Sequence, residues 1–284
     1  MDFLNLIFYA CLRLQFLVVE TNIGQRSRVP DVCRILCSNV RGLAGNHSDL
    51  TVASSQYDIL LCSETLVSDM CHVVEILVPG FGRPVLLCRG KMPWARRMAA
   101  YVRDGYGAFC QPKFECGCCE MLVFRVCGVK QNLYVFSLYR NPDLDNRIFD
   151  CLLASMAAVQ TEDIRASFLF VVDLNGHHWE WLGSTITNRH RVAAFDFATV
   201  FGCDQLVVGP TNACGGTLDL LMADVPDQVR VAVVASIGNS DHSSLSAVIL
   251  MAQVATNLCV SRKVFLKHKV NWNTVWCNTG SALA

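Results

Sequence analysis

The sequence predicts a mixed α/β domain with many short strands. Apolar segments rich in Val, Ile, Leu, Phe and Tyr recur between turn residues, and helix-periodic segments lie between some of them. The strand segments are continuously hydrophobic rather than alternating, which indicates strands covered on both faces. Ten strands are predicted, at residues 32–37, 57–62, 85–88, 98–102, 121–126, 133–138, 168–172, 217–222, 228–234 and 245–251.

Three segments predict helices. Residues 48–55 form a short candidate, and residues 146–160 repeat apolar side chains with a 3.6-residue spacing that includes Ile148, Leu152 and Val159. Residues 191–201 place Val192, Phe195, Ala198 and Val200 near one side.

The chain of 284 residues is long enough for one catalytic-sized domain. We expect an N-terminal extension at 1–31, the domain at 32–254 and a tail or linker at 255–284. Residues 1–19 are apolar but are broken by Asp2 and Arg13, and they lack the charged start and small-residue end of a signal peptide. We therefore expect neither export nor a stable membrane partner.

The charge balance gives no general attraction to polyanions, since 24 basic residues oppose 24 acidic ones. A nucleic-acid partner would need a local basic face. The candidates for such a face are Arg89, Lys91, Arg96, Arg97 and Arg103, or Arg262, Lys263, Lys267 and Lys269 near the C-terminus. An ordinary solvent-exposed surface explains either set of basic residues equally well.

Sixteen cysteines are present, many of them inside apolar runs, where a free cysteine behaves as a small hydrophobe. We interpret them as reduced thiols of an intracellular protein. The sequence Cys116-Gly117-Cys118-Cys119 has no second Cys/His pair at finger-like distance, so zinc binding is not predicted there.

Short polar islands follow the apolar runs. They are Ser38-Asn39, Ser63-Glu64, Tyr139-Arg140, Asp173-Leu174-Asn175, Thr217-Leu218-Asp219 and Ser240-Asp241-His242. A sheet that repeatedly ends in Asn, Glu, Tyr, Asp and His presents ligands for a hard cation and for phosphate oxygens.

Individual islands suggest specific chemistry, although each has a structural alternative. Asp173 can orient or deprotonate water while Asn175 donates to the attacked group, but a turn with Asx hydrogen bonding also explains this pair. The Glu64 carboxylate is a suitable Mg²⁺ ligand, but an ordinary solvent-exposed glutamate explains it as well. His242 suits a phosphoryl oxygen, with Asp219 a better orienting partner than the adjacent Asp241.

Tyr139 and Arg140 close the strand predicted at 133–138 and supply a phenol and a guanidinium. Both groups donate hydrogen bonds that suit a phosphate. An aromatic side chain that caps the core would explain Tyr139 equally well.

The order of the islands resembles the endonuclease/exonuclease/phosphatase superfamily, and in particular the apurinic-type endonuclease domain of non-LTR (LINE-like) retrotransposons. The resemblance covers roughly residues 33–252 and rests on six motifs. These are Ser38-Asn39-Val40-Arg41-Gly42-Leu43, Ser63-Glu64-Thr65, Tyr139-Arg140-Asn141-Pro142, Asp173-Leu174-Asn175-Gly176-His177-His178, Gly216-Thr217-Leu218-Asp219-Leu220 and Asn239-Ser240-Asp241-His242. It implies an α/β fold, a four-layer sandwich of two mixed sheets packed face to face with helices outside.

The resemblance also implies roles for the site residues. Glu64, with Asn39 and Asp241, would hold Mg²⁺, for which Mn²⁺ can substitute. Asp173 would activate water, Asn175 and Tyr139 would contact the scissile phosphate, and Asp219 would orient His242. Two further candidates for phosphate or DNA contact are Arg140 and Thr211.

The resemblance implies a metal-dependent endonuclease that nicks double-stranded DNA, acting as a monomeric domain in the nucleus or cytoplasm. Two alternatives stay open. One is a phosphatase or phosphodiesterase acting on a phosphoinositide, lipid headgroup or nucleotide. The other is an inactive retroelement remnant. Arg41 stands where some relatives carry Asp, Val172 stands where the family usually has Gly, and no reverse transcriptase is recognisable after Ser261.

Overall fold

The protein is described from a computed structural model. The structure describes residues 31–67, 76–87, 98–116, 119–128, 130–140, 147–173 and 189–251. The predicted extension at 1–31, except residue 31, and the tail at 255–284 lie outside these residues, as does Asn175.

Twelve strands and three α-helices are present in the described part of the chain. The strands are β1 (Val32–Asn39), β2 (Ile59–Ser63), β3 (Val85–Leu87), β4 (Met98–Val102), β5 (Ala108–Cys110), β6 (Glu120–Val126), β7 (Leu133–Tyr139), β8 (Ser167–Asp173), β9 (Asp204–Gln205), β10 (Asp219–Ala223), β11 (Val229–Val234) and β12 (Ser244–Leu250). The helices are α1 (Leu43–Ala53), α2 (Arg147–Glu162) and α3 (Arg189–Phe201), with short 3₁₀ helices at Ser54–Gln56, Pro112–Phe114 and Pro226–Gln228.

The strands form two six-stranded mixed sheets. The first has the order β11-β12-β1-β2-β4-β3 and the second has the order β5-β6-β7-β8-β10-β9. Each contains one parallel pair, β1 with β2 and β7 with β8, and the other neighbours are antiparallel. Each parallel pair is joined through a helix, as parallel strands require.

Three apolar cores give four layers. One core lies between the sheets and includes Ile35 and Leu169. A second lies between the second sheet and helices α2 and α3, and a third lies between the first sheet and α1. The predicted four-layer α/β sandwich is confirmed. Coverage on both faces is confirmed for β2, β7, β8 and β10, which are buried throughout, whereas β11 has exposed residues along its length.

The element boundaries differ from the predicted ones at informative places. Helix α1 starts at Leu43 rather than at residue 48, because Gly42, with φ of 108°, ends the preceding loop. Strands β5 and β9 are not predicted by the sequence, since they are three and two residues long and lie at the edges of the second sheet. Segments this short carry almost no periodic signal.

Side chains alternate between the two faces of a sheet along each strand, and this alternation (the strand parity) decides which side chains enter the site. In β8, Leu169 and Val171 face the core between the sheets, whereas Phe170 and Val172 face the helices. Since side chains alternate along a strand, Asp173 continues the inward-facing row. The branched side chain of Val172 therefore packs beneath the helices.

The same parity applies to the other strands that end at this edge. In β1 and β10 the inward rows contain Cys37 and Leu221, so Asn39 and Asp219 continue them. Asp219 lies opposite Asp173 in the antiparallel pair of β10 and β8. The polar end of the core between the sheets is thus assembled from both sheets.

None of the ten cysteines in the described residues is in a disulfide. Burial raises the pKa of Cys33 and Cys62 to about 12, so both are inert, protonated core side chains. None of the helices in the described ranges combines the length and apolar character needed to cross a bilayer.

Arg103 is the member of the two predicted basic sets that falls within the described residues. Its guanidinium donates to the carbonyl oxygens of Ser54, Ser55 and Tyr57, and stacks over the ring of Phe81. These contacts give Arg103 a structural role in holding the loop between α1 and β2.

Candidate active site

Asp173 lies at the centre of the polar cluster. The Asn39 side-chain amide donates to Asp173 Oδ2 at 3.0 Å, and the Ser63 hydroxyl donates to the same oxygen at 3.2 Å. Asn39 and Ser63 are register partners in the first sheet, whereas Asp173 ends β8 in the second. Two donors from one sheet therefore fix the rotation of a carboxylate on the other.

The loop after β1 holds Asn39 in place. Asn39 Oδ1 accepts a hydrogen bond from the backbone N–H of Arg41 at 3.2 Å, and the Ser240 hydroxyl donates to the Asn39 carbonyl at 2.6 Å. At the base of the same loop, Ser244 donates to Ser38 at 2.9 Å. These hydrogen bonds join the C-terminal end of β1 to the N-terminal start of β12 at the site.

His242 and Asp219 form a buried pair next to Asp173. Nδ1 of His242 lies 3.0 Å from Asp219 Oδ2, which fixes this nitrogen as the proton-bearing one and directs Nε2 away from Asp219. One ligand atom from each of Asp173, Asp219 and His242 lies within 4.8 Å of the others.

The buried charges shift the pKa values of this cluster. Burial raises the pKa of Asp173, the charges of Asp219 and Glu64 add to the increase, and the pKa reaches about 8. Burial lowers the pKa of His242, but the hydrogen bond and charge of Asp219, followed by the charge of Asp173, outweigh it and raise the pKa to about 9. The site thus combines an acid that ionises near neutral pH with an imidazolium.

Thr211 is fully buried and holds the backbone of Asp219 in place. Its hydroxyl oxygen accepts hydrogen bonds from the backbone N–H groups of Leu218 and Asp219, at 2.8 and 3.0 Å. Its carbonyl also accepts the N–H of Ser243, beside His242. Thr211 therefore couples the two loops that carry Asp219 and His242.

A second group of charged side chains surrounds Arg41. Its Nη1 lies 3.1 Å from Asp241 Oδ1, and its Nε lies 4.0 Å from Glu64 Oε2. The Tyr139 hydroxyl donates to Glu64 Oε1 at 3.1 Å, which connects this group to β7. Arg41 thus places a cation between the two carboxylates that the sequence predicts as metal ligands.

The backbone is strained at these same residues. Arg41 and Glu64 have positive φ angles of 41° and 50°, which are uncommon for residues with a side chain. Hydrogen bonds from the N–H of Val40 to the carbonyl of Ser63, and from the N–H of Gly42 to that of Glu64, hold the two segments together. Strain of this kind concentrates at functional sites.

The donor set around Arg41 fits a hard divalent cation. Glu64 and Asp241 supply carboxylate oxygens, and Asn39 supplies an amide oxygen, which are the ligands Mg²⁺ prefers. Asp241 Oδ1 is buried and, despite its ion pair, accepts no hydrogen bond from the described residues. An oxygen in this state has lone pairs left to bind a cation.

Nine of the ten predicted site residues are described, and they form one connected cluster. They are Asn39, Glu64, Tyr139, Arg140, Asp173, Thr211, Asp219, Asp241 and His242. Arg140 is buried, and its backbone N–H donates to the Asp173 carbonyl at 2.9 Å. The tenth residue, Asn175, lies outside the described residues.

Sequence reasoning did not include Ser63 or Arg41 among the site residues. Ser63 has the same parity as the inward residues Ile59 and Leu61, and this parity is the signal that could have identified it. For Arg41 the sequence shows only a departure from the family it resembles, some members of which carry Asp at this position. Its contacts depend on the left-handed turn after β1.

Solved structures were compared with the whole fold. The endonuclease domain of TRAS1, a telomere-specific non-LTR retrotransposon, has a TM-score of 0.60 at 18% identity, covering 78% of this chain and 100% of that one. The AP endonuclease LMAP from Leishmania major has a TM-score of 0.59 at 12% identity, with coverage of 78% and 88%. The Xenopus laevis APE2 catalytic domain has a TM-score of 0.58 at 13% identity, with coverage of 80% and 94%.

No protein-family model matches the sequence, and no curated protein matches it. At these identities the structural likeness concerns the fold alone. The chain therefore has the same α/β-sandwich fold as the TRAS1 endonuclease domain, the AP endonuclease LMAP and the APE2 catalytic domain.

Proposed function

We propose that this protein is an Mg²⁺-dependent phosphodiesterase of retrotransposon origin that nicks double-stranded DNA. The observation that carries the proposal is the convergence of Asp173, held by Asn39 and Ser63, with the Asp219–His242 pair at one end of the core between the sheets. This arrangement provides a base and a cationic hydrogen-bond donor side by side. The likeness to the TRAS1 endonuclease domain supports the choice of DNA.

Glu64, Asp241 and Asn39 are the residues that would hold Mg²⁺, with Mn²⁺ as a substitute. When bound, the ion supplies charge that polarises a phosphoryl oxygen and stabilises a leaving alkoxide. Tyr139 orients Glu64 through its hydrogen bond. Arg41 competes for the same carboxylates and would have to move aside.

Asp173 accepts the proton of the attacking water. Its raised pKa brings its proton affinity near the working pH, which favours proton transfer in the transition state. Asn39 and Ser63 both donate to Oδ2 and therefore fix the carboxylate plane. Asn175, two residues later, would donate to the attacked phosphate.

His242 donates a hydrogen bond to a phosphate oxygen from its Nε2. Asp219 accepts a hydrogen bond from the Nδ1–H group and keeps the ring cationic at neutral pH. An oriented cationic donor stabilises the negative charge that develops on the phosphate oxygens. Arg140 adds a second positive charge at this edge of the sheet.

The domain acts as a monomer in the nucleus or cytoplasm.

Incubation of the purified full-length chain with supercoiled plasmid and Mg²⁺ tests this function. We expect conversion to nicked circles, and we expect Asp173→Ala and His242→Ala each to lower the rate by at least about 100-fold. Asp196→Asn, an exposed acid on α3, is the matched control and should nick like the parent chain.

The outcome that contradicts the proposal is no nicking by the folded parent chain at any protein concentration with Mg²⁺ or Mn²⁺. Release of inorganic phosphate from inositol phosphates or nucleotides, without nicking, would instead support the phosphatase alternative. A folded protein that does neither would support the inactive remnant.

A further inference from the structure

A second cluster of metal-binding side chains lies away from the candidate active site. The sulfur atoms of Cys116, Cys119 and Cys151 lie within 4.8 Å of one another. Cys116 and Cys119 come from the loop before β6, and Cys151 comes from the first half of α2. The loop sequence alone lacks a further ligand at finger-like spacing, and the tertiary fold supplies one from 32 residues downstream.

The cluster sits on the opposite face of the second sheet from Asp173. Cys119 belongs to the core beneath the helices, and Cys116 and Cys151 pack against that core. Asp173 faces the core between the sheets, so an ion bound by the cysteines would be separate from the candidate active site. The two places share only the sheet end, since Glu120, next to Cys119, pairs with Tyr139.

The spacing of the sulfur atoms suits a thiolate-bound metal. A zinc–sulfur bond of about 2.3 Å places two tetrahedral ligands about 3.8 Å apart. All three sulfur atoms lie within 4.8 Å of one another. The Cys116 and Cys151 sulfur atoms are 2.7 Å apart, so these two would have to separate by about 1 Å to bind one tetrahedral ion. Three cysteines that converge exceed the two that a disulfide needs, and none of the three is in a disulfide.

Access and neighbouring contacts also suit a bound ion. Cys119 is buried, whereas Cys116 and Cys151 are half-buried, so an ion can reach the sulfur atoms from solvent. The same loop is held to α2 by an ion pair between Lys113 and Glu162. A metal would thus fix the loop at a second point.

We propose that Cys116, Cys119 and Cys151 form a three-thiolate site for a thiophilic divalent ion of the Zn²⁺ type, which ties the loop before β6 to helix α2. Binding releases the thiol protons and forms three sulfur–metal bonds, with no change in oxidation state. Such ions prefer thiolate sulfur, whereas Mg²⁺ prefers oxygen, so the two sites select different metals.

Cobalt substitution tests the site because only sulfur ligands give an intense near-ultraviolet charge-transfer band. The reduced full-length chain is titrated with Co²⁺ and then with Zn²⁺. We expect a band that saturates at one Co²⁺ per chain, disappears when Zn²⁺ is added, and is lost in Cys116→Ser and in Cys151→Ser. Cys203→Ser, a buried cysteine of the same core, and Asp173→Asn should retain the band.

A second measurement needs no variant and covers the case in which a cysteine variant does not fold. Zn²⁺ should protect Cys116, Cys119 and Cys151 of the unmodified chain from alkylation, as mapped by peptide mass spectrometry, while the exposed Cys214 continues to react. The proposal is overturned if the parent shows no band, or if Zn²⁺ leaves alkylation of the three cysteines unchanged. It is equally overturned if Zn²⁺ does not prevent dissolved oxygen from oxidising Cys116 and Cys151 to a disulfide.

Discussion

Arg41 is the residue that most distinguishes this site from its sequence expectation. Its guanidinium lies beside Asp241 and Glu64, with about half of the side chain exposed. Solvent screens such contacts, so each is worth about 1 kcal/mol or less. A cation that is held this loosely weakens metal binding without preventing it.

Replacing Arg41 should therefore strengthen divalent-ion binding. We expect Arg41→Ala to tighten Mn²⁺ binding by roughly three- to tenfold, since about 1 kcal/mol of competition is removed. Isothermal titration calorimetry measures the change. Arg34→Ala removes the same charge from an exposed position near the other end of β1 and should leave the affinity unchanged. Equal affinities for Arg41→Ala and the parent would show that Arg41 does not compete.

Asp173 should lower the stability of the fold at neutral pH. The unfolded chain ionises this acid near its ordinary pKa of 3.8, whereas burial and the neighbouring acids raise the folded-state pKa to about 8. Ionisation therefore favours unfolding. The penalty is absent well below pH 4, grows as the pH rises, and is complete above about pH 8.

We expect Asp173→Asn to be more stable than the parent by about 1–2 kcal/mol at pH 8 and equally stable near pH 3. The amide oxygen can still accept the bonds from Asn39 and Ser63. Urea unfolding between pH 3 and pH 8.5, without divalent ions, measures the difference. A stability gain that is the same at all pH values, or one also seen in Asp196→Asn, would contradict this origin.

At the scale of elements, the loops that enter β10 and β12 position the Asp219–His242 pair. Thr211 joins them by accepting two backbone N–H groups through its hydroxyl and a third through its carbonyl. A buried N–H without an acceptor costs about 1–3 kcal/mol. The Thr211 hydroxyl thus stabilises the start of β10 directly.

Thr211→Val keeps the shape of the side chain and removes this acceptor. We expect a loss of about 2–3 kcal/mol in the free energy of unfolding and a lower nicking rate in the folded protein. Thr211→Ser, which restores the hydroxyl, should recover most of both. If Thr211→Val were as stable as the parent, the Leu218 and Asp219 amides would have to find other acceptors.

The boundaries of some helices and strands are predicted more accurately than others, and the strength of the local hydrophobic pattern explains the difference. Long apolar strands such as β7 and β8 are predicted to within one or two residues, because their hydrophobic runs are uninterrupted. Helix α2 is predicted with similar accuracy from its spacing of apolar residues. Helix α1 buries only Leu43 and Leu50 within its eleven residues, so its periodic signal is weak and its start is missed.

On the scale of the whole molecule, both sheets contribute to the site, so the core between them controls its geometry. Leu169 is fully buried there, four residues before Asp173 on β8. Removing its side chain leaves a cavity between the sheets. Truncating a side chain of this core should therefore lower both the free energy of unfolding and the nicking rate.

We expect Leu169→Ala to lower the free energy of unfolding by about 2–5 kcal/mol, with one cooperative transition in urea. Ile164→Ala, at a side chain that is 90% exposed, should change it by no more than about 0.5 kcal/mol. Fluorescence and circular dichroism should report the same midpoint. Two separate transitions would mean that the sheets unfold independently.

The sequence by itself determined the fold class and the strand-rich domain, because uninterrupted apolar runs mark buried strands. It also indicated the nine candidate site residues that the structure describes, through the polar islands that follow these runs and through the family resemblance of their order, although each island alone had a structural alternative.

Only the tertiary structure decided which groups meet. Ser63 joins Asp173 across the two sheets, Arg41 sits between Glu64 and Asp241, and Cys151 reaches Cys116 from another element. These contacts depend on sheet order and on left-handed turns, which bring together residues distant in the chain. Periodicity along a sequence carries no information about such pairings, because it reports which face a residue occupies and not which element it faces.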